Sequence, residues 1–441
     1  MCSFIVTNRD IQDLEKVNFY SQKRGPDFTH HCLRDGVHFV HNLLHLTGNK
    51  TSSHQPFEDG DIVATFNGEI YNYKDFGDYE TDGECIIPLY KEYGDEFTKH
   101  LDGEFAIVIV DFKGKKTKAY VDKFATKPLW YSSNYNGEFG YASYKSSLEA
   151  LGFTNIYKHI PAWRPKFESV NPYTCWDLNQ HKDTYDDWIE AFEKAVEKRT
   201  RSEYGIFLGL SAGYDSGSIA LALCNQKMHH TAYTVRANEN MDIVNERAGH
   251  ALLEFGSMVD YYDIELTRKE YCSIKKELKV ICEDFEYTDK FGTYNIKHDK
   301  ASMGLGAICR RANQNNQRIY LSGQGADEIL SDYGFKGRKF YSHSEFGGLF
   351  PPKLEGFFPW HSFYDGTQIK YLAKEEYVTG AYGIEGRYPF LDKQLVQEFL
   401  WLTPELKNKN YKAPIHEYLK RNDYPFDEGV KVGFGANRNL L

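Results

Sequence analysis

The second residue of the chain is a cysteine, and its position gives it a chemical role to consider. If a methionine aminopeptidase removes Met1, which a small second residue permits, Cys2 becomes the N-terminus. Its α-amine, with an ordinary pKa of about 8, can then take the proton of the Cys2 thiol. One residue would thus supply both a nucleophile and its general base, so no histidine is required.

A second segment with chemical potential is residues 210–216 (LSAGYDS), which follows an apolar strand-like run and precedes a helical one. Small residues let the main chain approach a phosphate, and a helix N-terminus offers unpaired N–H groups to an anion. Asp215 can hold a Mg²⁺ ion that bridges phosphates. No Gly-Lys-Ser/Thr follows, so this is not a Walker A loop. A Ser/Gly cap on an ordinary helix is the alternative.

A third segment, residues 321–328 (LSGQGADE), also follows a strand-like run, about 110 residues further on. In a parallel sheet two such strand ends can face one crevice. Asp215 and Asp327 could then share a metal ion. The pair of loops therefore favours a nucleotide site over two unrelated helix caps.

Composition and charge limit the class of protein. The 441 residues are too many for one ordinary core, so two domains are expected. No apolar run approaches the roughly 18 residues of a membrane helix, and no secretory signal is recognisable. A net charge of −10 without a basic block argues against a nucleic-acid partner. The eight cysteines, scattered and without zinc spacing, suit reduced thiols in a cytoplasmic enzyme.

The pattern of predicted secondary structure changes between residues 150 and 180, and this change predicts the domain boundary. Before residue 150, short apolar runs (61–66 and 104–111) alternate with turn signals at Asn67-Gly68, Lys113-Gly114 and Asn136-Gly137, typical of an antiparallel, strand-rich domain. Residues 160–179 carry three prolines and no periodicity, and we place the linker there. The predicted domains are residues 2–165 and residues 180–441.

The second half alternates strands with helices. Residues 185–198 and 244–255 show helical periodicity, and a third helical run lies near 219–223. The predicted strands are residues 204–210, 231–235, 259–266 and 317–321. This alternation predicts a parallel sheet with helices on both faces.

Four segments of the first half resemble class II glutamine amidotransferases. They are residues 24–27 (RGPD), 67–72 (NGEIYN), 81–84 (TDGE) and 122–129 (DKFATKPL). The resemblance implies that Cys2 is the nucleophile that strips ammonia from glutamine. It also implies that the side chain of Asn67 and the N–H of Gly68 form an oxyanion hole, and that Asp82 binds the glutamine α-amine. The glutamine-binding residues it implies are Arg24, Asn67, Glu69 and Asp82.

Segments of the second half resemble N-type ATP pyrophosphatases and, more closely, asparagine synthetases. Residues 210–216 resemble the SGGxDS loop, with Ala212 replacing a glycine, and residues 382–392 (YGIEGRYPFLD) and 429–437 (GVKVGFGAN) resemble two further asparagine synthetase segments. The resemblance implies that ATP is cleaved to AMP and pyrophosphate, that Asp215 and Asp327 bind the metal, and that Lys431 neutralises the leaving pyrophosphate. The ATP-binding residues it implies are Leu210, Ser211, Gly213, Asp215, Ser216, Val235, Ser322 and Gly323.

Together the motifs run from residue 2 to residue 437 and resemble the glutamine-hydrolysing asparagine synthetase family. The resemblance implies an N-terminal-nucleophile (αββα) glutaminase sandwich followed by a doubly wound parallel-sheet synthetase domain. It implies a glutamine-dependent amide synthetase that uses ATP and Mg²⁺, with glutamine, ATP and a carboxylate such as aspartate as substrates. A homodimer is a possible assembly.

Three departures from the family pattern bear on the substrates. Leu43 stands where the family has an arginine that holds the glutamine carboxylate, so Arg24, Arg34 or another group must replace it, or glutamine binds weakly. Gln324 stands where many members have a glutamate, and an amide cannot act as a general base. Residues 330–333 (LSDY) also replace a glycine-rich segment. Gln324 therefore leaves the identity of the acceptor carboxylate open.

Alternative functions remain open. The acceptor could be another carboxylate in secondary or polysaccharide metabolism. Relatives such as β-lactam synthetases and lasso-peptide cyclases form an intramolecular amide and lose the glutaminase nucleophile, whereas Cys2, Asn67 and Asp82 are retained here. A non-catalytic binding protein would not need Asp215 and Lys431 together.

Overall fold

The computed structural model describes residues 2–159, 176–236, 239–289 and 292–429. Most of the predicted linker (residues 160–175) and Lys431 lie outside these residues. The described chain divides into two compact units. Unit 1 comprises residues 2–159, 280–283 and 379–385, and unit 2 the remainder. In the described residues no helix is long and apolar enough to cross a membrane.

Unit 1 is built mainly from antiparallel strands. Its strands are β1 (Ser3–Thr7), β2 (Phe28–Arg34), β3 (Val37–Leu43), β4 (Phe57–Asp59), β5 (Ile62–Ile70), β6 (Gly103–Asp111), β7 (Lys116–Val121), β8 (Trp130–Ser133), β9 (Phe139–Ala142) and β10 (Tyr157–Lys158). They form a six-stranded sheet of order β10-β8-β9-β1-β3-β2 and a four-stranded sheet of order β4-β5-β6-β7. Its helices are α1 (Leu14–Asn18), α2 (Ser21–Arg24), α3 (Ile86–Tyr93) and α4 (Lys145–Ala150).

The two sheets pack face to face, because alternate residues of their strands are apolar and point inward. Phe4 and Phe39 of the larger sheet meet Val63 and Val108 of the smaller one in a buried core. A second core covers the other face of the smaller sheet, where α3 packs through residues such as Ile86. Helix α4 packs on β8 and β9 of the larger sheet. These layers confirm the predicted αββα sandwich.

The prediction of a turn at Asn67-Gly68 is wrong. Both residues lie inside β5 and pair with β6. Gly68 has φ +141°, and a Cβ there would stand 1.9 Å from the carbonyl oxygen of Glu104. The glycine is required by close main-chain approach within a ladder, and the sequence pattern Asn-Gly alone cannot distinguish this from a hairpin.

Unit 2 contains the later strands and helices, three of which (α8, α12 and β19) share a few residues with unit 1. Its strands are β11 (Gly205–Gly209), β12 (His230–Val235), β13 (Val259–Ile264), β14 (Glu286–Asp289), β15 (Gly292–Asn295), β16 (Gln317–Leu321), β17 (Gly334–Phe335), β18 (Arg338–Lys339) and β19 (Glu385–Arg387). Its helices are α5 (Asp186–Lys198), α6 (Tyr214–Asn225), α7 (Met241–Phe255), α8 (Arg268–Ile281), α9 (Lys300–Gln314), α10 (Ala326–Leu330), α11 (His361–Tyr364), α12 (Thr367–Ala381), α13 (Lys393–Trp401), α14 (Pro404–Lys407) and α15 (Ala413–Arg421).

The main sheet of unit 2 has the order β13-β12-β11-β16-β19, with parallel pairing among its first four strands. Every residue of β12 is buried, which shows that both faces of the sheet are covered. The chain progresses from β11 to β12 and β13 on one side, while β16 lies on the other side of β11. The strand order therefore reverses between β11 and β16, and such a switch point is where open α/β sheets bind ligands. The predicted doubly wound fold is confirmed.

Candidate active sites

Cys2 directly precedes β1 and is buried at the edge of a pocket in unit 1. Its main-chain nitrogen donates to Oδ1 of Asn67, on β5, at 3.1 Å. The other end of that side chain, Nδ2 of Asn67, is buried and has no hydrogen-bond partner in the described part of the chain. Burial raises the pKa of the Cys2 thiol to about 11. The thiol is thus protonated at rest, and the N–H groups of Asn67 Nδ2 have no acceptor in the described part of the chain.

Arg24, predicted to bind glutamine, has a different place. Its side chain is fully buried, and Nε donates to the carbonyl oxygen of Cys2 at 3.1 Å. It packs near the hydroxyl of Tyr144 and does not line the pocket. Arg24 therefore fixes the main chain of Cys2, and its predicted contact with glutamine is not supported by this geometry.

The pocket beside Cys2 brings together the other predicted residues of the first domain. Gly68, Glu69 and Asp82 line it with Cys2. The carboxylate of Asp82 accepts a hydrogen bond from the main chain of Ile70 at 2.9 Å. Burial raises the pKa of Asp82 to about 6. The other residues that line the pocket are Leu43, Leu44, His45, Leu46, Thr47, Ser53, Gln55, Phe57, Phe66 and Thr81.

The first nucleotide loop of unit 2 connects β11 to α6. The hydroxyls of Ser211 and Ser216 lie 2.7 Å apart, and the N–H of Gly213 donates to Oγ of Ser211 at 3.0 Å. Arg247 on α7, which the sequence did not single out, is fully buried and donates to the carbonyl of Gly213 at 2.9 Å. A Cβ at Gly217 would stand 2.5 Å from its guanidinium, so the glycine leaves room for this support.

The second loop follows β16 and lies against the first. A Cβ on Gly323 would stand 2.8 Å from Cβ of Asp215. Ser322 donates its N–H to the carbonyl of Arg387 at 3.0 Å, and its hydroxyl accepts from the N–H of Gln324 at 3.0 Å. Leu210 and Val235 sit at the ends of the neighbouring strands, where the N–H of Leu210 is bonded to β12. The predicted ATP-binding residues thus converge on the switch point.

A lysine joins the two predicted metal ligands. Nζ of Lys412 lies 2.6 and 2.7 Å from the carboxylate oxygens of Asp215 and 2.8 Å from Oδ1 of Asp327. The hydroxyl of Tyr411 also donates to Asp327, at 2.8 Å. The Lys412 side chain is only 1% exposed, and its main chain is left-handed, with φ +46°. Nothing in the linear sequence sets Lys412 apart from the other 52 basic residues.

The two carboxylates fit a shared divalent cation. Both contact Nζ of Lys412, so their oxygens lie close together, and hard cations prefer carboxylate oxygens. In the described residues no cluster offers three or more protein ligands. Mg²⁺ commonly takes one or two carboxylates and completes its shell with phosphate oxygens and water. Asp215 and Asp327 therefore suit a metal that arrives with a nucleotide.

A further carboxyl group that the sequence did not indicate lies behind the second loop. Glu375, on α12, is hydrogen-bonded to the side chain of Ser322, and burial raises its pKa to about 7. A group with a pKa near neutrality can both give and take a proton. Its partner Ser322 stands two residues before Gln324, whose amide cannot do so.

Comparisons with known proteins find relatives of both halves of the chain. A family model for a glutamine amidotransferase domain matches residues 1–160, and one for asparagine synthase matches residues 187–375. The glutamine-hydrolysing asparagine synthetase 3 of Arabidopsis thaliana is 28% identical over 416 residues, covering 87% of this chain and 67% of the relative. The glutamine-hydrolysing asparagine synthetase 2 of Oryza sativa subsp. japonica is 26% identical over 452 residues, covering 92% and 69%. The chain is thus an ATP-dependent ligase that uses glutamine.

More particularly, the chain is similar over most of its length to glutamine-hydrolysing asparagine synthetases, and its glutamine amidotransferase segment precedes its asparagine synthase segment. Among solved structures, the NH3-dependent NAD synthetase from Campylobacter jejuni subsp. jejuni NCTC 11168 in complex with the nitrate ion covers 44% of this chain and 76% of its own. Its identity of 19% and TM-score of 0.22 are too low to bear on function.

Proposed function

We propose that this protein hydrolyses glutamine at Cys2, adenylates a carboxylate with ATP to release pyrophosphate, and converts the adenylate to an amide with the ammonia, releasing AMP. The observation that carries the proposal is the Cys2–Asn67 pair. Asn67 accepts from the Cys2 nitrogen at 3.1 Å through Oδ1, and its Nδ2 is buried without a hydrogen-bond partner among the described residues. A buried donor of this kind costs stability unless a ligand satisfies it.

In the glutaminase half, the neutral thiol of Cys2 gives its proton to the α-amine as sulfur attacks the donor carboxamide. The oxygen of the tetrahedral intermediate accepts from Nδ2 of Asn67 and the N–H of Gly68. Ammonia leaves, and water hydrolyses the thioester to glutamate. Asp82 and Glu69 bind the donor α-ammonium, and Arg24 keeps Cys2 in place through its carbonyl oxygen.

In the synthetase half, the adenosine of ATP lies against Leu210, Val235, Ser322 and Gly323. Its phosphates lie on the loop formed by Ser211, Gly213 and Ser216. Asp215 and Asp327 would hold Mg²⁺, which supplies charge neutralisation for the phosphates when it is bound. Lys412, whose Nζ contacts both carboxylates, adds a fixed positive charge next to them. Lys431 keeps its predicted role toward pyrophosphate, outside the described residues.

The acceptor is aspartate or a related acid. Gln324 favours a second candidate, an acceptor other than aspartate. The loop after β16 has this glutamine where many asparagine synthetases have a glutamate. We assign the proton transfer of amide formation to Glu375, whose pKa of about 7 suits it. The cytoplasmic location and a homodimer stay predictions from the sequence.

A pH dependence follows from Asp82. Its pKa is raised to about 6 by burial, with Glu385 among the contributing charges, and only its ionised form attracts the donor α-ammonium. We expect kcat/KM for glutamine to lose an extra factor of about ten per pH unit below pH 6. Rates of glutamate release from pH 4.5 to 8 measure this. Glu385→Gln should move this fall in kcat/KM to lower pH, and Asp82→Asn should remove it. If kcat/KM of Asp82→Asn still falls in the same way below pH 6, the assignment of the titration to Asp82 is wrong.

The function is tested with purified protein, ATP, Mg²⁺ and glutamine and a panel of carboxylates that includes aspartate. Mass spectrometry should detect AMP, pyrophosphate and one amide product that depends on both glutamine and a single acceptor. Omission of ATP is the control for the synthetase half. Glutamate release without AMP formation from any acceptor would contradict the synthetase assignment.

A further inference from the structure

The pocket beside Cys2 carries an unusual balance of charge. Two of its lining residues, Glu69 and Asp82, are acidic, and among the described residues that line it none is lysine or arginine. A third carboxylate, Glu385, acts electrostatically on both Cys2 and Asp82. The rest of the wall is apolar or neutral, and Nε2 of its one histidine, His45, lies 3.0 Å from the carbonyl oxygen of Gly48.

Arg24 and Arg34 of unit 1, the two arginines named above as candidates to hold the glutamine carboxylate, have other partners. Arg24 is fully buried and donates to the main chain of Cys2. Arg34 lies at the opposite end of the β2–β3 pair from Leu43, where it donates to Glu58 at 2.8 Å and to the carbonyl of Gly60 at 2.6 Å. Lys50 is exposed on the loop that bears Thr47 and Ser53, and it does not line the pocket. Leu43 itself is 3% exposed and presents an apolar side chain.

This charge distribution discriminates between forms of the amide donor. Free glutamine is a zwitterion, and its ammonium group suits Asp82 and Glu69. Its carboxylate, in contrast, would lose water beside Leu43 and face two negative side chains. Burying a charge without a partner is strongly unfavourable. A donor whose α-carboxyl group is masked as an amide or a peptide bond carries only the positive charge and avoids this cost.

We propose that the Cys2 pocket takes a cationic, carboxyl-masked glutamine, such as glutamine at the N-terminus of a peptide, in preference to free glutamine, and that Leu43 sets this preference. The proposal rests on the proposed glutaminase function of Cys2. The chemistry is unchanged: water and the side-chain carboxamide give a side-chain carboxylic acid and ammonia, and the masked α-carboxyl group takes no part.

The test compares donors on the full-length protein. Ammonia release is measured as kcat/KM for L-glutamine, L-glutaminamide, the dipeptide glutaminyl-glycine and N-acetyl-glutamine. We expect glutaminamide and the dipeptide to exceed glutamine by at least about tenfold, and N-acetyl-glutamine, which has no α-ammonium, to be the poorest donor. This comparison needs no variant, so it does not depend on the folding of one.

Two charge variants locate the cause. Leu43→Arg should raise kcat/KM for free glutamine by at least about tenfold and leave glutaminamide unimproved. Leu33→Arg, which adds the same charge at an exposed position of β2, should leave the donor ratio as it is. Circular dichroism and Tm establish that both variants are folded.

The outcomes separate the proposal from the function beneath it. A wild-type preference for free glutamine would overturn the proposal and leave the glutaminase assignment intact. If Lys50→Met then lost that preference, Lys50 would be the cation that holds the glutamine α-carboxylate. Absence of ammonia release from every donor, in folded protein, would overturn the glutaminase assignment and the donor preference together.

Discussion

Cys2→Ala is expected to lower glutamine-driven amide formation by more than about a thousandfold, while turnover with free ammonium continues. The alanine removes the sulfur that must attack the carboxamide, and no other described thiol lies in the pocket. The two loops that bear Asp215 and Asp327 belong to unit 2 and do not depend on this atom. Amide and glutamate are quantified by mass spectrometry, with glutamine or ammonium chloride as the nitrogen source.

Cys32→Ala is the matched control, because Cys32 is a partly buried cysteine of the same unit on β2, outside the pocket. It should retain activity with both nitrogen sources. Loss of both activities in folded Cys2→Ala protein would show that the division of labour between the two units is wrong. Full glutamine-driven activity would show that another group is the nucleophile.

Short motifs made much of both sites predictable, because their residues are adjacent in sequence and act through the main chain. Residues 210–216 and 322–325 lie where strands end, as their flanking apolar runs indicated. The alternation of strands and helices placed those ends on one edge of a parallel sheet, and the observed order of strands agrees.

The supporting residues could not be found in this way. Arg247 and Lys412 come from segments 34 and 197 residues away from the atoms they hold, and neither stands in a recognisable pattern. Glu375 is one of several charged residues on α12, and only tertiary packing raises its pKa. A sequence cannot show which charged residues are buried when the periodicity of their helix is weak.

Arg24 illustrates a different limit of sequence reasoning. Its motif indicated the right neighbourhood, but a motif does not say which way a side chain points. The structure directs Arg24 at the carbonyl of Cys2, so the residue supports the nucleophile from behind. The motif Asn67-Gly68 is also ambiguous in sequence, because the same two residues suit a hairpin turn or a strand. In the structure both pair with β6, and the close approach of the Glu104 carbonyl explains why a glycine is needed there.

Asp215→Asn is expected to reduce AMP formation by at least about a hundredfold with either nitrogen source, while glutaminase activity persists. The asparagine has the same shape but no charge, so it can neither share a divalent cation with Asp327 nor balance Lys412. The fold should survive, because Lys412 keeps its contact with Asp327 at 2.8 Å. AMP and pyrophosphate are measured with glutamine and with ammonium, and glutamate release is measured separately.

Asp186→Asn removes a surface ion pair with Arg421 and is the matched control, expected to keep AMP formation within about twofold. Lys412→Met supplies a readout that does not depend on turnover. It leaves two adjacent carboxylates without their cation, so its Tm should fall and should recover with added Mg²⁺ more than that of the wild type. Unchanged AMP formation in Asp215→Asn, or a Tm of Lys412→Met that does not respond to Mg²⁺, would refute the shared cation site, because both results require the carboxylates to act independently.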